Sequence, residues 1–316
     1  MAKYLVKRIA SLIPVLLIMS FVVFMLIHMI PGDPAKVILG DQATPEAVEA
    51  LREKMGLNDP IIVQYGHWMM NVLSGNLGSS VFMKGSMTHI IGTHIIPTLQ
   101  LTLYSMIIAI VIAIPLGMVA ANKRRTSVDH GITSMAMLGI SIPSFLLSLF
   151  LILLFSVKLG VLPPAGYKAI SSNGFITNFK YMLLPSLAMG LVEAGLLIRM
   201  TRSSLLDILD SDYIRMAKAK GVDNFHIMCH HALKNAALPI LTAMSQTFVS
   251  VLSSAAVAET IFNIPGVGQL IVNSVSRRDY EVIQAVILVV AVLNVVTYLV
   301  LDILYRLIDP RIKLGK

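Results

Sequence analysis

The sequence is short of what a water-facing surface or a covalent framework requires. Charged residues make up 13% of the 316 positions and apolar types 56%, about half the charged share of an average soluble domain. A soluble enzyme of this size would lack its polar shell. An extended disordered chain, which needs high charge and low hydrophobicity, is excluded. Cys229 is the only cysteine, so a disulfide-built secreted domain is excluded too. No G-x-x-x-x-G-K-[ST] phosphate loop, G-x-S-x-G or H-E-x-x-H occurs, and no apolar run holds a carboxylate pair. The chain has no recognisable nucleotide site, and no catalytic set for an intramembrane protease or lipid-modifying enzyme. Any ATP used with it is bound by another chain.

What is present is a series of long apolar runs. Ile9–Ile30, Pro97–Ala121, Gly131–Val157 and Val282–Leu301 contain no Asp, Glu, Lys or Arg. Tyr181–Ile198 holds only Glu193, and Ala236–Phe262 only Glu259. A bilayer core about 30 Å thick takes roughly 20 residues of helix. Only helices satisfy their own backbone in lipid, so the expected fold is an all-α membrane protein with six transmembrane helices. The first run is too long for a signal peptide and no small-residue cleavage site follows it. With the N-terminus inside, the inner segments hold 16 of the 25 Lys and Arg residues and the outer segments 9. Lys123-Arg124-Arg125 in a short loop is the cleanest signal, and it places both termini in the cytoplasm. The net charge of +8 is thereby explained by membrane side and calls for no nucleic acid.

The expected organisation has three parts. Residues 1–31 are the cytoplasmic N-terminus and first span. Residues 32–95 are an extracytoplasmic cap, and residues 96–316 are a five-helix core with a cytoplasmic segment at 201–236. In the cap, Thr44 is an N-cap, Pro45 suits the first helical position and Gly56 is a stop; a second helix runs from Ile61 to Leu73 and ends near Gly75. In the inner segment, Asp212 is expected to cap a short helix through Lys220 that Gly221 ends, with Ala217 and Ala219 inside it. A solvated loop explains the charges there, and docking onto another protein explains the alanines; residues alone leave both readings open.

Two further features carry possible chemistry. Thr242, Ser245, Gln246, Ser250 and Ser253 recur at three- and four-residue steps in the fifth span. Polar groups in lipid face protein or a water-filled cavity, so the stripe either lines a path or bonds to a neighbouring helix. Ser141 and Ser144 around Pro143 belong to the same two alternatives. Glu193 lies inside the fourth span, where an acid needs a hydrogen bond, an aqueous path or a proton-relay role. His226, Cys229, His230 and His231 crowd together, but a basic, partly solvated helix accounts for them better than a metal site does. No catalytic, cofactor or metal residue is assigned.

Several phrases in order then match a known pattern. They are Tyr4-Leu5-Val6-Lys7-Arg8, Pro31-Gly32-Asp33-Pro34, Gly56-Leu57-Asn58-Asp59-Pro60, Gly75-Asn76-Leu77-Gly78 and Ser141-Ile142-Pro143-Ser144-Phe145. Asp212-Tyr213-Ile214-Arg215-Met216-Ala217-Lys218-Ala219-Lys220-Gly221 is the most specific, followed by Glu259-Thr260-Ile261-Phe262, Pro265-Gly266-Val267-Gly268 and Asp309-Pro310-Arg311. With these the chain resembles the inner-membrane permease subunits of ABC importers of the dipeptide, oligopeptide and nickel class, in the type with the longer first outer loop. Arg215-Met216-Ala217 stands where the general importer motif has Glu-Ala-Ala, a departure that fits this class.

The resemblance implies a type I importer-permease fold in a bacterial or archaeal cytoplasmic membrane. It implies half of a heterodimeric path for peptides, with nickel or a metal chelate as the alternative cargo. The implied partners are a homologous second permease, two ATPase subunits that hold ATP and Mg, an extracytoplasmic substrate-binding protein and membrane lipid. Asp212, Tyr213, Arg215, Ala217, Lys218, Ala219, Lys220 and Gly221 become the ATPase-coupling residues. Glu193, Thr242, Ser245, Gln246, Ser250 and Ser253 become the path. An ion-coupled secondary carrier would need intramembrane relays and often shows internal repeats; only Glu193 is a deep candidate, and the halves show no repeat.

Overall fold

A computed structural model describes the backbone of residues 2–29, 33–40, 43–80, 82–83 and 85–308. Pro31-Gly32 and Asp309-Pro310-Arg311 from the pattern above lie outside the described residues, as do the side chains of Tyr4 to Arg8. The chain order is α1 (Ala2–Met29), α2 (Pro34–Leu39), α3 (Pro45–Lys54), α4 (Ile61–Leu73), α5 (Met87–Asn122), α6 (Ser127–Ser141) and α7 (Ser144–Leu151). A π-helical stretch, Ile152–Lys158, extends α7. Then follow α8 (Ile170–Asn173), α9 (Phe175–Leu209), α10 (Asp212–Ala219), α11 (Asn224–His226), a second π-helical stretch (Ile227–Ala232), α12 (Leu233–Ile261), α13 (Val267–Arg277) and α14 (Tyr280–Ile308). No strand is formed among the described residues.

Among the described residues, four helical stretches are long and apolar enough to cross a membrane: Met87–Asn122, Phe175–Leu209, Asn224–Ile261 and Tyr280–Val300. A fifth counts only if α6 and the stretch Ser144–Lys158 are one span, because they are bent by 99°. The third span expected over Gly131–Val157 is broken near its middle. The cause is Pro143: it supplies no N–H to the carbonyl of Gly139, and its ring drives Ile142 out of the helical region to φ −85°, ψ 121°. Of the first expected span, the described apolar helix is Ala10–Met25. Of the six spans expected from sequence, the described residues show four or five.

By compactness the chain forms two units, residues 1–96 with 266–299, and residues 97–265 with 300–316. In the first, Met87, Ile90 and Ile91 of α5 pack with Val267 and Leu270 of α13 and Val282 and Val286 of α14. Phe24 of α1 packs on Tyr65 and Trp68 of α4, and the hydroxyls of Ser20 and Tyr65 share a 2.8 Å hydrogen bond. Thr44 caps α3 by accepting from the Ala47 N–H at 3.3 Å. These contacts make residues 33–40 and 43–80 folded structure, as the capping signals indicate.

In the second unit α9 is central, packed on α6, α7 and α12. Its glycines let backbones approach closely, which is how helices associate when surrounding lipid is as apolar as their side chains. A Cβ at Gly190 would meet the Ser105 carbonyl oxygen at 2.7 Å, and one at Gly195 the Ala136 carbonyl oxygen at 2.5 Å. Leu101, Met182, Leu184, Ala188, Val251, Ala255 and Phe262 fill one core, and Ala109, Ala113, Ala136, Ala194 and Ala243 with Leu197 a second.

Candidate functional site

Glu193 is fixed between the two close crossings at Gly190 and Gly195. Its carboxylate accepts a 2.8 Å hydrogen bond from the Ser250 hydroxyl of α12. Beside this pair is a cavity of about 200 Å³ lined by Ile142, Pro143, Ser144, Glu193, Ser250 and Ser254 among others. The helix break at Pro143 and the buried-span acid thus share one cleft. A broken helix and a polar side chain both bring hydrogen-bonding groups to a place in the span that continuous apolar helix would seal. The arrangement can meet a polar or cationic solute; it contains no nucleophile–base pair.

The stripe on α12 divides. Thr242, Gln246, Ser250 and Ser253 are exposed on one face, with the Thr242 hydroxyl donating back to Leu238 O at 3.0 Å. Ser245 is buried, donating to Leu241 O at 2.7 Å. At 100° per residue it sits at the edge of the stripe, against the core rather than on the exposed face. Ser254, four residues after Ser250 and not named in the stripe, also lines the cleft. Glu259 is fully buried and accepts from the Thr98 hydroxyl at 2.5 Å.

The polar segments between spans form a second constellation. Arg202 on α9 donates to both oxygens of Asp129 at the start of α6, at 2.6 and 2.8 Å. The backbone N–H of Arg125 adds a third bond at 2.9 Å, and Arg124 pairs with Asp210 at 2.8 Å. Asp129 precedes the apolar run that begins at Gly131, in the polar segment 122–130. The hydrogen bonds from Arg202 outweigh its burial and hold its carboxyl down at about 2. Sequence reasoning missed this clamp; its only trace was a lone acid after three basic residues.

The clamp anchors the end of α9, and α10 follows directly. Ser211, not Asp212, is the N-cap residue, with its own hydroxyl turned back to Ile208 O. Ile214 is fully buried and pins the helix, and Ala217 is half-buried. Tyr213, Arg215, Met216, Lys218, Ala219 and Lys220 are exposed, as is Asp212, which pairs with Arg215 at 3.4 Å. Gly221 has φ +79°, its N–H bonds Lys218 O, and the Val222 N–H bonds Ala217 O. This is the Schellman stop that a glycine permits. Asp223 caps the next turn through the His226 N–H at 2.8 Å, and Phe225 is exposed beyond it. The imidazoles of His226 and His230 stack at 4.2 Å between centroids. Among the described residues no group of three or more His, Cys, Asp and Glu is placed to hold a metal ion.

Comparison with known proteins gives a consistent answer. Residues 113–314 match the family "binding-protein-dependent transport system inner membrane component", and residues 1–86 match its N-terminal counterpart. The chain is 40% identical over 332 residues to a dipeptide transport system permease protein of Alkalihalophilus pseudofirmus, covering 99% of this chain and 100% of that one. It is 39% identical to a glutathione transport system permease protein of Shigella flexneri, covering 99% of each. The fold is similar to a chain of the inward-facing MetNI methionine ABC transporter, with a TM-score of 0.61 at 18% identity, over 72% of this chain and 100% of that one.

Proposed function

The chain belongs to the family of binding-protein-dependent transport system inner membrane components, and from that premise we propose that it is one half of a heterodimeric pathway importing peptides across a bacterial or archaeal cytoplasmic membrane. Two partner ATPases bind ATP with Mg and hydrolyse it, a homologous permease completes the path, and an extracytoplasmic binding protein delivers the cargo. The dipeptide and glutathione permeases that it resembles are named for cargoes that share a peptide unit, which supports peptides for this chain.

The observation that carries the reading is the cleft at Pro143, Glu193 and Ser250. It supports a path in which a carboxylate meets the peptide's ammonium group, while Thr242, Gln246 and Ser253 exchange hydrogen bonds with its amides. Ser245 stays in the path reading only as support for the wall. The 16 inner basic residues support cytoplasmic termini. Segment 212–221 then faces the ATPases, and the exposed Tyr213, Met216 and Ala219 make it a knob for an ATPase cleft. Movement there is transmitted through Ile214, the Asp129–Arg202 clamp and α9 to Glu193.

The test is uptake of a labelled dipeptide into proteoliposomes holding the full complex. ATP-dependent uptake that unlabelled dipeptide competes away is expected. Uptake of Ni²⁺ without dipeptide competition would overturn the peptide assignment. Uptake that follows a proton gradient without ATP would overturn the ATP coupling.

A further inference from the structure

The insertion between α1 and α5 holds two helices of opposite character. α3 carries Glu46, Glu49, Arg52, Glu53 and Lys54 on ten residues, as a helix in water does. α4 has 13 residues with no Asp, Glu, Lys or Arg among them, and none of the 13 is buried. At about 100° per residue its positions sort into three sectors. Gln64, Tyr65 and Trp68 face α1. Tyr65 packs on Phe21 and Phe24 with ring centroids 5.3 and 5.5 Å apart, Trp68 packs on Phe24 at 5.8 Å, and the Gln64 amide oxygen lies 3.2 Å from His28. His67 and Asn71 form a narrow, exposed polar sector. Ile62, Val63, Met70 and Leu73 form the third, about 100° wide, and it is uncovered: Ile62 is 81% exposed, Leu73 79% and Met70 70%.

The contacts with α1 set the depth of α4. They centre on Phe24, five residues before α1 ends at Met29, which is roughly 7.5 Å of helical rise. The first charged residue after that end is Asp33. Amphipathic helices that lie in a membrane surface sit about 5–10 Å into the boundary between head groups and acyl chains, the same level. Tyr65 and Trp68 are the two ring types enriched at that boundary, where one end of the ring is apolar and the other wet. The apolar surface of α1 also runs on to α4 without a break. Phe21 is exposed, like Ile13, Leu17 and Ile18 before it, and it is Phe21 that meets Tyr65 edge-on.

We propose that α4 is a lipid-binding helix, lying in the membrane surface at the C-terminal end of α1. Ile62, Val63, Met70 and Leu73 enter the acyl chains, and His67 and Asn71 stay on the water side. Lipid fits this face because it is wholly uncharged and continues the apolar surface of a membrane helix. Which leaflet is involved rests on the orientation proposed above: with a cytoplasmic N-terminus it is the outer one. The insertion is then held down on the membrane at α4, while the charged α3 stays in water.

The test places a nitroxide spin label by Ile62→Cys, Leu73→Cys, His67→Cys or Glu46→Cys, each in a Cys229→Ser background. The complete complex, with no other cysteine, is reconstituted in phosphatidylcholine vesicles. Collisions are measured with oxygen, which concentrates among acyl chains, and with chromium oxalate, which stays in water. The ratio of oxygen to oxalate collisions is expected to be at least threefold higher at positions 62 and 73 than at 67 and 46. Equal ratios would mean that α4 stands in water and overturn the proposal. Few collisions with either reagent at 62 and 73 would mean that another protein chain covers the face, which also overturns it. A second readout needs no variant, because Trp68 is the only tryptophan in the chain. In vesicles holding the unaltered full-length chain, its emission should be quenched at least twofold more by lipids brominated near the glycerol end of the acyl chain than by lipids brominated near the methyl end. Absence of quenching by both overturns the proposal. Neither readout uses ATP or cargo, so failure here leaves the transport reading standing, and the reverse.

Discussion

Asp129 and Glu193 are acids on helices of the same compact unit, and their surroundings answer their charge in opposite ways. Asp129 has a side chain only 2% exposed, and a guanidinium grips both of its oxygens. Glu193 has a serine hydroxyl for a partner and opens onto a cavity. The first carboxylate is fully compensated by its own chain and works as a fastener. The second keeps capacity for something that comes and goes. Near apolar spans a charge is expensive wherever it stands, and of these two acids only Asp129 is matched by a cation among the described residues.

The sharpest way to break this contrast is Arg202→Ala, which leaves Asp129 buried without its cation. Removing one partner of a buried pair costs about 3–5 kcal/mol, so the detergent-unfolding midpoint should drop by far more than for any change at Glu193. Arg202→Lys should recover part of it, because a point charge replaces a two-pronged grip. Equal stability of Arg202→Ala and the unaltered chain would remove the fastener. The sign with pH follows from the lowered carboxyl. The clamp's contribution is complete above the ordinary carboxylate pKa of about 4 and is lost as pH falls through about 2.

Next in size is Gly195→Val, which drives a side chain into the Ala136 carbonyl oxygen. Overpacking of this kind costs about 1–3 kcal/mol and should displace Glu193 from Ser250, lowering uptake along with stability. Ala217→Arg should separate the two: at this half-buried position stability falls by about 1 kcal/mol, with dipeptide uptake reduced at least tenfold. A cysteine at position 219, from Ala219→Cys, should crosslink to an ATPase. Normal uptake in Ala217→Arg would count against docking by α10.

Glu193→Gln keeps the hydrogen bond and the shape, so assembly and stability should hardly change. Uptake of lysine-containing dipeptides should fall more than uptake of neutral ones; equal effects on both would show that the carboxylate does not select by charge. The smallest differences are in thiol accessibility, in a Cys229→Ser background. Gln246→Cys and Ser250→Cys should react with a water-soluble reagent faster than Ser245→Cys. Matching rates at all three would dissolve the division of the stripe.

Much of the local structure was legible because its causes are local. The cap at Thr44, the helix Ile61–Leu73 and the Gly221 stop depend on a few neighbouring residues, and they stand where those residues put them. The break in the third span was not read from the sequence. Hydropathy counts residues, and Gly131–Val157 is long enough to cross, while the effect of Pro143 on Ile142 is a backbone angle that no count contains. The Asp129–Arg202 clamp joins residues 73 positions apart, and nothing in either neighbourhood names the other. Ser245 shows the limit of periodicity. A polar stripe has a centre that sequence locates and an edge that only packing decides. The link from Glu193 to Ser250 was open for the same reason: each was visible alone, and the packing of α9 on α12 joins them.

The two glycines flanking Glu193 make α9 a rail with a fitting mounted on it. Gly190 and Gly195 are locked by backbone atoms of neighbouring helices, so the rail tolerates almost no change. Position 193 touches a hydroxyl and open space, so its side chain can be exchanged without moving the rail. On the proposed path reading, the charge of the favoured cargo can change at position 193, one substitution at a time, while the architecture stays fixed.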